Sequence, residues 1–142
     1  MDVTADLDTP HAPALVFALV EDLERYPSWL DIVPKVVAEG DGAWRVDLRG
    51  RLGPFARSKR LRMVRTRHDA PHSVRFERDE RDGRSHAPWV LDATVEARDG
   101  GSRLTMHLHY GGGLFGPVLE KVLGDEIARS RPRLLRVLDG DG

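Results

Sequence analysis

The sequence predicts one α+β domain, residues 1–142, in which a long C-terminal helix lies across a curved antiparallel sheet. Three observations lead to this prediction. Apolar and polar residues alternate through much of residues 35–110, which is the two-residue period of strands with one buried face. Helical spacing of apolar residues returns after Gly111-Gly112-Gly113. A chain of 142 residues is also long enough for one well-buried core, and no linker interrupts it.

The amino-terminal part predicts one strand followed by two short helices. Residues 2–9 alternate between apolar and polar side chains, as expected of a first strand. A helix is then expected to begin with Thr9 as its cap and Pro10 at its first position, and to end near Asp22. Pro27 is expected to begin a second, shorter helix, which the next proline stops.

Turn signals divide residues 35–110 into about six further strands. The signals contain glycine or proline and are Gly40-Asp41-Gly42, Gly53-Pro54, Ala70-Pro71, Asp82-Gly83 and Gly100-Gly101. Consecutive strands joined by short turns form an antiparallel meander, and its apolar face needs a cover. The one long element left to cover it is the terminal helix.

The terminal helix is predicted over residues 114–138, and at 1.5 Å per residue it reaches roughly 37 Å, enough to cross the domain. Pro132 cannot donate a backbone hydrogen bond and crowds the carbonyl four residues earlier. We therefore expect a kink or a break near Arg131. Residues 118–127 are expected to cover the sheet, whereas Leu134, Leu135 and Leu138 are expected to pack elsewhere.

Composition argues against several kinds of function. The 22 basic and 23 acidic side chains give a formal charge of −1, so no overall attraction to nucleic acid or to an anionic membrane is expected. The absence of cysteine excludes disulfides and thiolate chemistry. No run of about 20 apolar residues and no signal-peptide pattern occurs, so we expect a cytoplasmic protein.

The order of elements, the segment ERYPSWLDIVP after the first helix, and the amphipathic terminal helix together resemble the helix-grip superfamily. This superfamily includes START domains, birch-pollen-allergen-like proteins and polyketide cyclases or dehydrases. The resemblance covers essentially the whole chain and is closest to bacterial polyketide cyclase-like members. It implies a curved sheet of seven strands and a cavity that takes lipids, isoprenoids, hormones or polyketides. We expect no cofactor.

A long helix cannot touch a strongly bent sheet everywhere, so the space between them is the expected ligand site. The alternative is an ordinary filled core. The expected ligand-binding residues are Trp44, Val46, Leu48, Leu61, Met63, Arg65, Phe76, Trp89, Leu91, Leu104, Met106, Leu108 and Tyr110 from the sheet, and Leu119, Val122, Leu123 and Ile127 from the helix. At the cavity mouth we expect Phe55, as an apolar plug, with Tyr26 and Trp29, although the last two could instead only pin the short helix.

Arg65 and Tyr110 are the candidates for catalysis. If Leu61 and Met63 face inward, strict alternation turns Arg65 inward too, where it needs an anion. The resemblance implies a role for it, because aromatase/cyclase members carry an arginine at the equivalent strand position that positions the polyketide's oxygens. Those enzymes tend to have an aromatic and a hydroxyl residue where this chain has Leu61 and Met63. The alternatives are an Arg65 that reaches solvent along its aliphatic stem and a core Tyr110.

Two further patterns are interpreted as surface features. Residues 57–67 include six basic side chains, but acidic residues on neighbouring strands can pair with them and no aromatic residue is interleaved, so nucleic-acid binding is not expected. His107 and His109 share one face of a strand, where two histidines can chelate a metal. No third ligand is evident in the sequence, so no metal site is expected.

Three functions stay open from the sequence. The first is a ligand-binding domain, non-enzymatic or weakly catalytic, for a hydrophobic or amphipathic molecule of polyketide, isoprenoid or lipid class. The second is an aromatase/cyclase-like enzyme in which Arg65 and Tyr110 anchor oxygens. The third is an interaction module that binds a ribosome or a quinone complex through the basic strand. Ligand identity and oligomeric state are not fixed by the sequence.

Overall fold

The alternating segments form a seven-stranded antiparallel sheet in the computed structural model, which describes residues 1–40, 42–50, 57–112 and 116–140. The order across the sheet is β1-β7-β6-β5-β4-β3-β2. The meander predicted between Lys35 and Tyr110 is therefore confirmed, with β1 added beside β7. The strands are β1 (Asp2–Thr9), β2 (Lys35–Ala38), β3 (Ala43–Gly50), β4 (Arg57–Asp69), β5 (Ser73–Arg78), β6 (Trp89–Arg98) and β7 (Gly101–Tyr110).

The first helix, α1 (Pro13–Val20), begins three residues later than the sequence predicted. Thr9 is still paired with Ser102 as the last residue of β1, so the chain must turn before it can become helical. The Thr9 hydroxyl accepts the backbone N–H of His11 at 3.1 Å within that turn. Pro13, and not Pro10, is the proline that starts the helix.

The second short helix is a 3₁₀ helix (Leu23–Ser28), and the prediction that Pro27 begins it was wrong. Asp22 caps it, because its carboxylate accepts the backbone N–H of Glu24 at 2.9 Å. Pro27 therefore lies near its end.

The terminal helix, α2 (Gly116–Leu138), continues through Pro132, so the expected break does not occur. A proline inside a helix costs about 3 kcal/mol. Packing on both sides of Pro132 offsets this cost, since Leu123 and Leu134 are both buried and Arg133 forms an ion pair with Asp31. Within the described residues, α2 packs mainly on β1 and on the 3₁₀ helix. None of the helices in these residues is long and apolar enough to cross a membrane.

One end of the inner sheet face is filled by α1. Four of its eight residues are buried, and they pack over β6 and β7. Beside them, Phe76 lies between Tyr26 and Trp44, with ring centroids 6.3 and 5.5 Å away in edge-on geometry. This end of the sheet is therefore a close-packed core, and the space beneath α2 lies towards the other end.

Candidate ligand-binding cavity

A cavity of about 520 Å³ lies between the inner sheet face, the 3₁₀ helix and α2. Its volume falls within the range of roughly 300–1,000 Å³ that is usual for small-molecule sites. Most of the residues predicted to bind a ligand lie on its wall. These are Val46, Leu48, Leu61, Met63, Trp89, Leu91, Leu104, Met106, Leu108 and Tyr110 from the sheet, and Val122, Leu123 and Ile127 from α2.

Trp44 and Phe76 were expected in the cavity but lie outside it. Both face the inner side of the sheet, as alternation required. Both are buried in the aromatic cluster beside α1, where Phe76 has no exposed surface. Sequence periodicity identified the correct face, but it did not show that Tyr26 of the 3₁₀ helix covers Phe76 in this part of it.

Arg65 is also absent from the cavity wall. Its Nη1 donates a hydrogen bond to the backbone oxygen of Glu21 at 3.0 Å, and its guanidinium lies 5.5 Å from the centre of the Trp44 ring. Glu21 is the C-cap of α1, so the negative end of that helix supplies the acceptor that an inward arginine needs. The interpretation of Arg65 as a ligand anchor is therefore corrected to a residue that holds α1 on the sheet.

Tyr26 and Trp29 line the cavity wall, yet they are not at its mouth. They are 1% and 3% exposed, and their polar atoms are bonded to α1: the Tyr26 hydroxyl donates to the Val20 carbonyl at 2.9 Å, and Trp29 Nε1 donates to the Leu19 carbonyl at 3.4 Å. Burial raises the pKa of Tyr26 well above its usual range. They therefore pin the 3₁₀ helix to α1 and form a closed wall. Phe55 and the side chain of Leu119 lie outside the described residues.

Five polar residues on the cavity wall were missed from the sequence: Asp6, Lys59, Glu126, Ser130 and Arg131. Two of them carried a usable signal. Lys59 is in phase with Leu61 and Met63, and Glu126 lies four residues after Val122 in the helical stripe. Glu126 is buried and accepts a short hydrogen bond from Arg129, and the Ser130 hydroxyl donates to the Ile127 carbonyl at 2.7 Å.

Lys59 lies over two aromatic rings of the cavity wall. Its Nζ is 5.9 Å from the centre of Trp89 and 5.8 Å from that of Tyr110, and the two rings lie 4.6 Å apart. These are cation–π distances. Partial burial lowers the pKa of the Lys59 ammonium, and the positive charge of Arg78 lowers it further.

The outer sheet face carries pairs of opposite charge. Arg60 contacts Asp47 at 2.8 Å, and Arg75 contacts Asp92 at 2.7 Å. Arg60 of the basic run is thus occupied by Asp47, and the absence of nucleic-acid binding stays a prediction.

His107 and His109 both contact one oxygen of Asp2, at 2.9 and 3.1 Å. Asp2 thus bonds both imidazoles, which is a contact that the sequence did not reveal. In the part of the chain that the structure describes, no group of three such side chains is placed to hold a metal ion.

A seven-stranded curved sheet that grips a long C-terminal helix around an apolar cavity defines the helix-grip class of ligand-binding domains. Within this class, the chain belongs to the family described as "Polyketide cyclase / dehydrase and lipid transport", which matches residues 1–138. The resemblance seen in the sequence is therefore confirmed. No curated protein matches the chain.

Several solved structures share this backbone. A conserved protein from Geobacillus kaustophilus has a TM-score of 0.77 at 11% identity, with 99% of this chain and 96% of that chain covered. A START superfamily protein from Mycobacterium smegmatis has a TM-score of 0.74 at 13% identity, with 98% of this chain and 97% of that chain covered. The AHSA1 protein from Silicibacter pomeroyi has a TM-score of 0.68 at 19% identity, with all of both chains covered. At these identities the likeness shows the fold alone.

Proposed function

We propose that the protein binds a hydrophobic or amphipathic small molecule of polyketide, isoprenoid or lipid class in the cavity beneath α2. The observation that carries this proposal is the cavity of about 520 Å³ with its largely apolar wall. A folded protein that leaves apolar surface exposed to water in a cavity is stabilised when a ligand covers that surface. We also infer that residues 1–142 form one domain, since α2 packs against β1 and so joins the two ends of the chain.

The two alternative functions have less support. A cyclase that anchors its substrate through Arg65 would need a guanidinium free to enter the cavity, and here it bonds to Glu21. Tyr110 does lie on the cavity wall and is the remaining candidate for contact with a ligand oxygen. An interaction module that uses the basic strand would have to compete with the ion pair of Arg60.

Native mass spectrometry of protein purified from its own host tests the proposal. We expect a non-covalent adduct of a small apolar molecule that organic solvent extracts. Leu108→Trp places an indole ring on the cavity wall and should weaken or abolish the adduct, because the added ring occupies space that the ligand needs. Leu15→Trp is the matched control, since Leu15 is 57% exposed on α1. Adduct-free wild type that also fails to bind pyrene-based probes would contradict the proposal.

A further inference from the structure

Lys59 places a positive charge on an otherwise apolar wall of the cavity. It belongs to the inner face of β4, pairs with Leu48 on β3, and lines the cavity two residues before Leu61. The side chain is solvent-exposed, although its Nζ lies over the rings of Trp89 and Tyr110. The ammonium therefore lies at the edge of the cavity, where it is still hydrated. The ligand-free protein thus avoids the cost of a buried unpaired charge, and a ligand in the cavity can still reach the ammonium.

The surroundings of Lys59 are poor in negative charge. Among the described residues it forms no ion pair, in contrast to Arg60 beside it, which contacts Asp47. Of its charged neighbours, Arg78 acts on it more strongly than Glu80 does. Two cations, Lys59 and Arg78, thus act at this place against the carboxylate of Glu80, and no described carboxylate is close enough to pair with Lys59.

Hydrogen-bond donors at this end of the sheet also lack acceptors. Trp89 is 7% exposed and lines the cavity, and within the described part of the chain its indole Nε1 has no hydrogen-bond partner. The buried Nε of Arg78 likewise has no partner among these residues. Buried donors without acceptors are uncommon in folded proteins and cost free energy. An acceptor in the cavity would meet the Lys59 charge beside Trp89, whereas Arg78 is not on the cavity wall.

In the described ranges, the carboxylate that faces the cavity is that of Glu126 on α2. Asp6 borders the cavity through β1, but its carboxylate is on the outer sheet face, where it accepts the Thr105 hydroxyl at 3.0 Å. The second cation of the wall, Arg131, shares α2 with Glu126. An anionic group is therefore disfavoured near Glu126 and favoured at Lys59.

Resting on the proposed function, we propose that the cavity selects amphipathic acids: the ligand carries a carboxylate that Lys59 receives, and its apolar body extends beneath α2. Lys59 is then a specificity-determining residue, and the neutral analogue of a ligand binds more weakly than the acid.

Two matched fluorescent probes test this, 1-pyrenebutyric acid and its neutral amide, 1-pyrenebutyramide. Each is titrated into the wild type and into Lys59→Met, which keeps an unbranched apolar stem and removes the charge. We expect the wild type to prefer the acid by about five- to tenfold. This preference is smaller than a fully buried charged hydrogen bond would give, because Lys59 is exposed to water. Lys59→Met should lose this preference while its affinity for the amide stays within about twofold.

Two controls complete the design. Lys59→Arg should retain the preference, because it keeps a cation at the same place. Lys35→Met removes an exposed lysine outside the cavity wall and should behave as wild type. The inference is overturned if both probes bind the wild type equally, if the preference survives in Lys59→Met, or if Arg131→Gln alone abolishes it. Failure of both probes to bind would also overturn the inference, and together with adduct-free wild type it would overturn the proposed function itself.

Discussion

The division of the inner sheet face into a filled end and a hollow end can be tested with two leucine-to-alanine substitutions of identical chemistry. Leu19 lies on α1 and is 7% exposed within the filled end. Leu91 is half-buried on β6, pairs with Phe76 and Leu108, and lines the cavity. Because β6 has neighbouring strands on both sides, the exposed surface of this inward leucine faces the cavity.

The two substitutions should differ in cost. Leu19→Ala removes well-packed methyl groups and leaves a new void, so we expect a loss of about 3 kcal/mol in the free energy of unfolding. Leu91 already borders open space and has fewer contacts to lose, so Leu91→Ala should cost about 1 kcal/mol. At about 4 °C per kcal/mol for a chain of this length, the Tm values should fall by about 12 and about 4 °C.

Urea unfolding followed by circular dichroism measures both costs, and pyrene-probe titration measures the second consequence. Leu91→Ala should weaken probe binding several-fold, whereas Leu19→Ala should leave it unchanged in the folded protein. Equal costs in the two variants would refute the reasoning, because they would mean that Leu91 is packed as tightly as Leu19 in solution.

Three further predictions concern single contacts. Tyr26→Phe removes the buried hydrogen bond to the Val20 carbonyl and should cost about 1–2 kcal/mol in urea unfolding; an unchanged midpoint would show that the bond contributes nothing. Arg65→Met should lower the Tm while probe affinity stays as in wild type, since Arg65 bonds to Glu21 outside the cavity; weaker binding without a stability loss would restore its role as a ligand anchor. The Arg103 hydrogen bond lowers the pKa of Asp8, so this pair stabilises the protein above pH 3.8, and the stabilisation is lost as the pH falls through the lowered pKa. Asp8→Asn should therefore flatten the acid limb of a curve of unfolding free energy against pH. An acid limb identical to that of the wild type would contradict this.

The sheet was predictable because its signals are local. Alternation within each segment and the glycine and proline turns between segments are properties of a few consecutive residues, and they define β2 to β7 without knowledge of the rest of the chain. The helix starts were harder. Thr9 has the side chain of a cap, but its place at the end of β1, paired with Ser102, takes precedence over local capping preference.

The cavity was predictable only as a set of residues on one face. Alternation correctly turned Phe76 and Trp44 inward. It could not show that Tyr26 of the 3₁₀ helix covers Phe76, because that contact joins residues distant in the chain. The continuation of α2 through Pro132 has the same origin, since tertiary packing offsets a local cost. Lys59 was overlooked because it was grouped with a basic run, although its neighbour Arg60 points to the opposite face.

The aromatic boundary around Phe76 has a consequence for how such a protein can diversify. β6 carries Ala93 and Val95 into the close-packed end and Leu91 and Trp89 into the open one. Substitutions that reshape the open end can change which molecule fits without removing the contacts that keep the chain folded. Sequence change at the open end would therefore leave the close-packed end intact, and the fold is what this chain shares with solved structures at 11–19% identity.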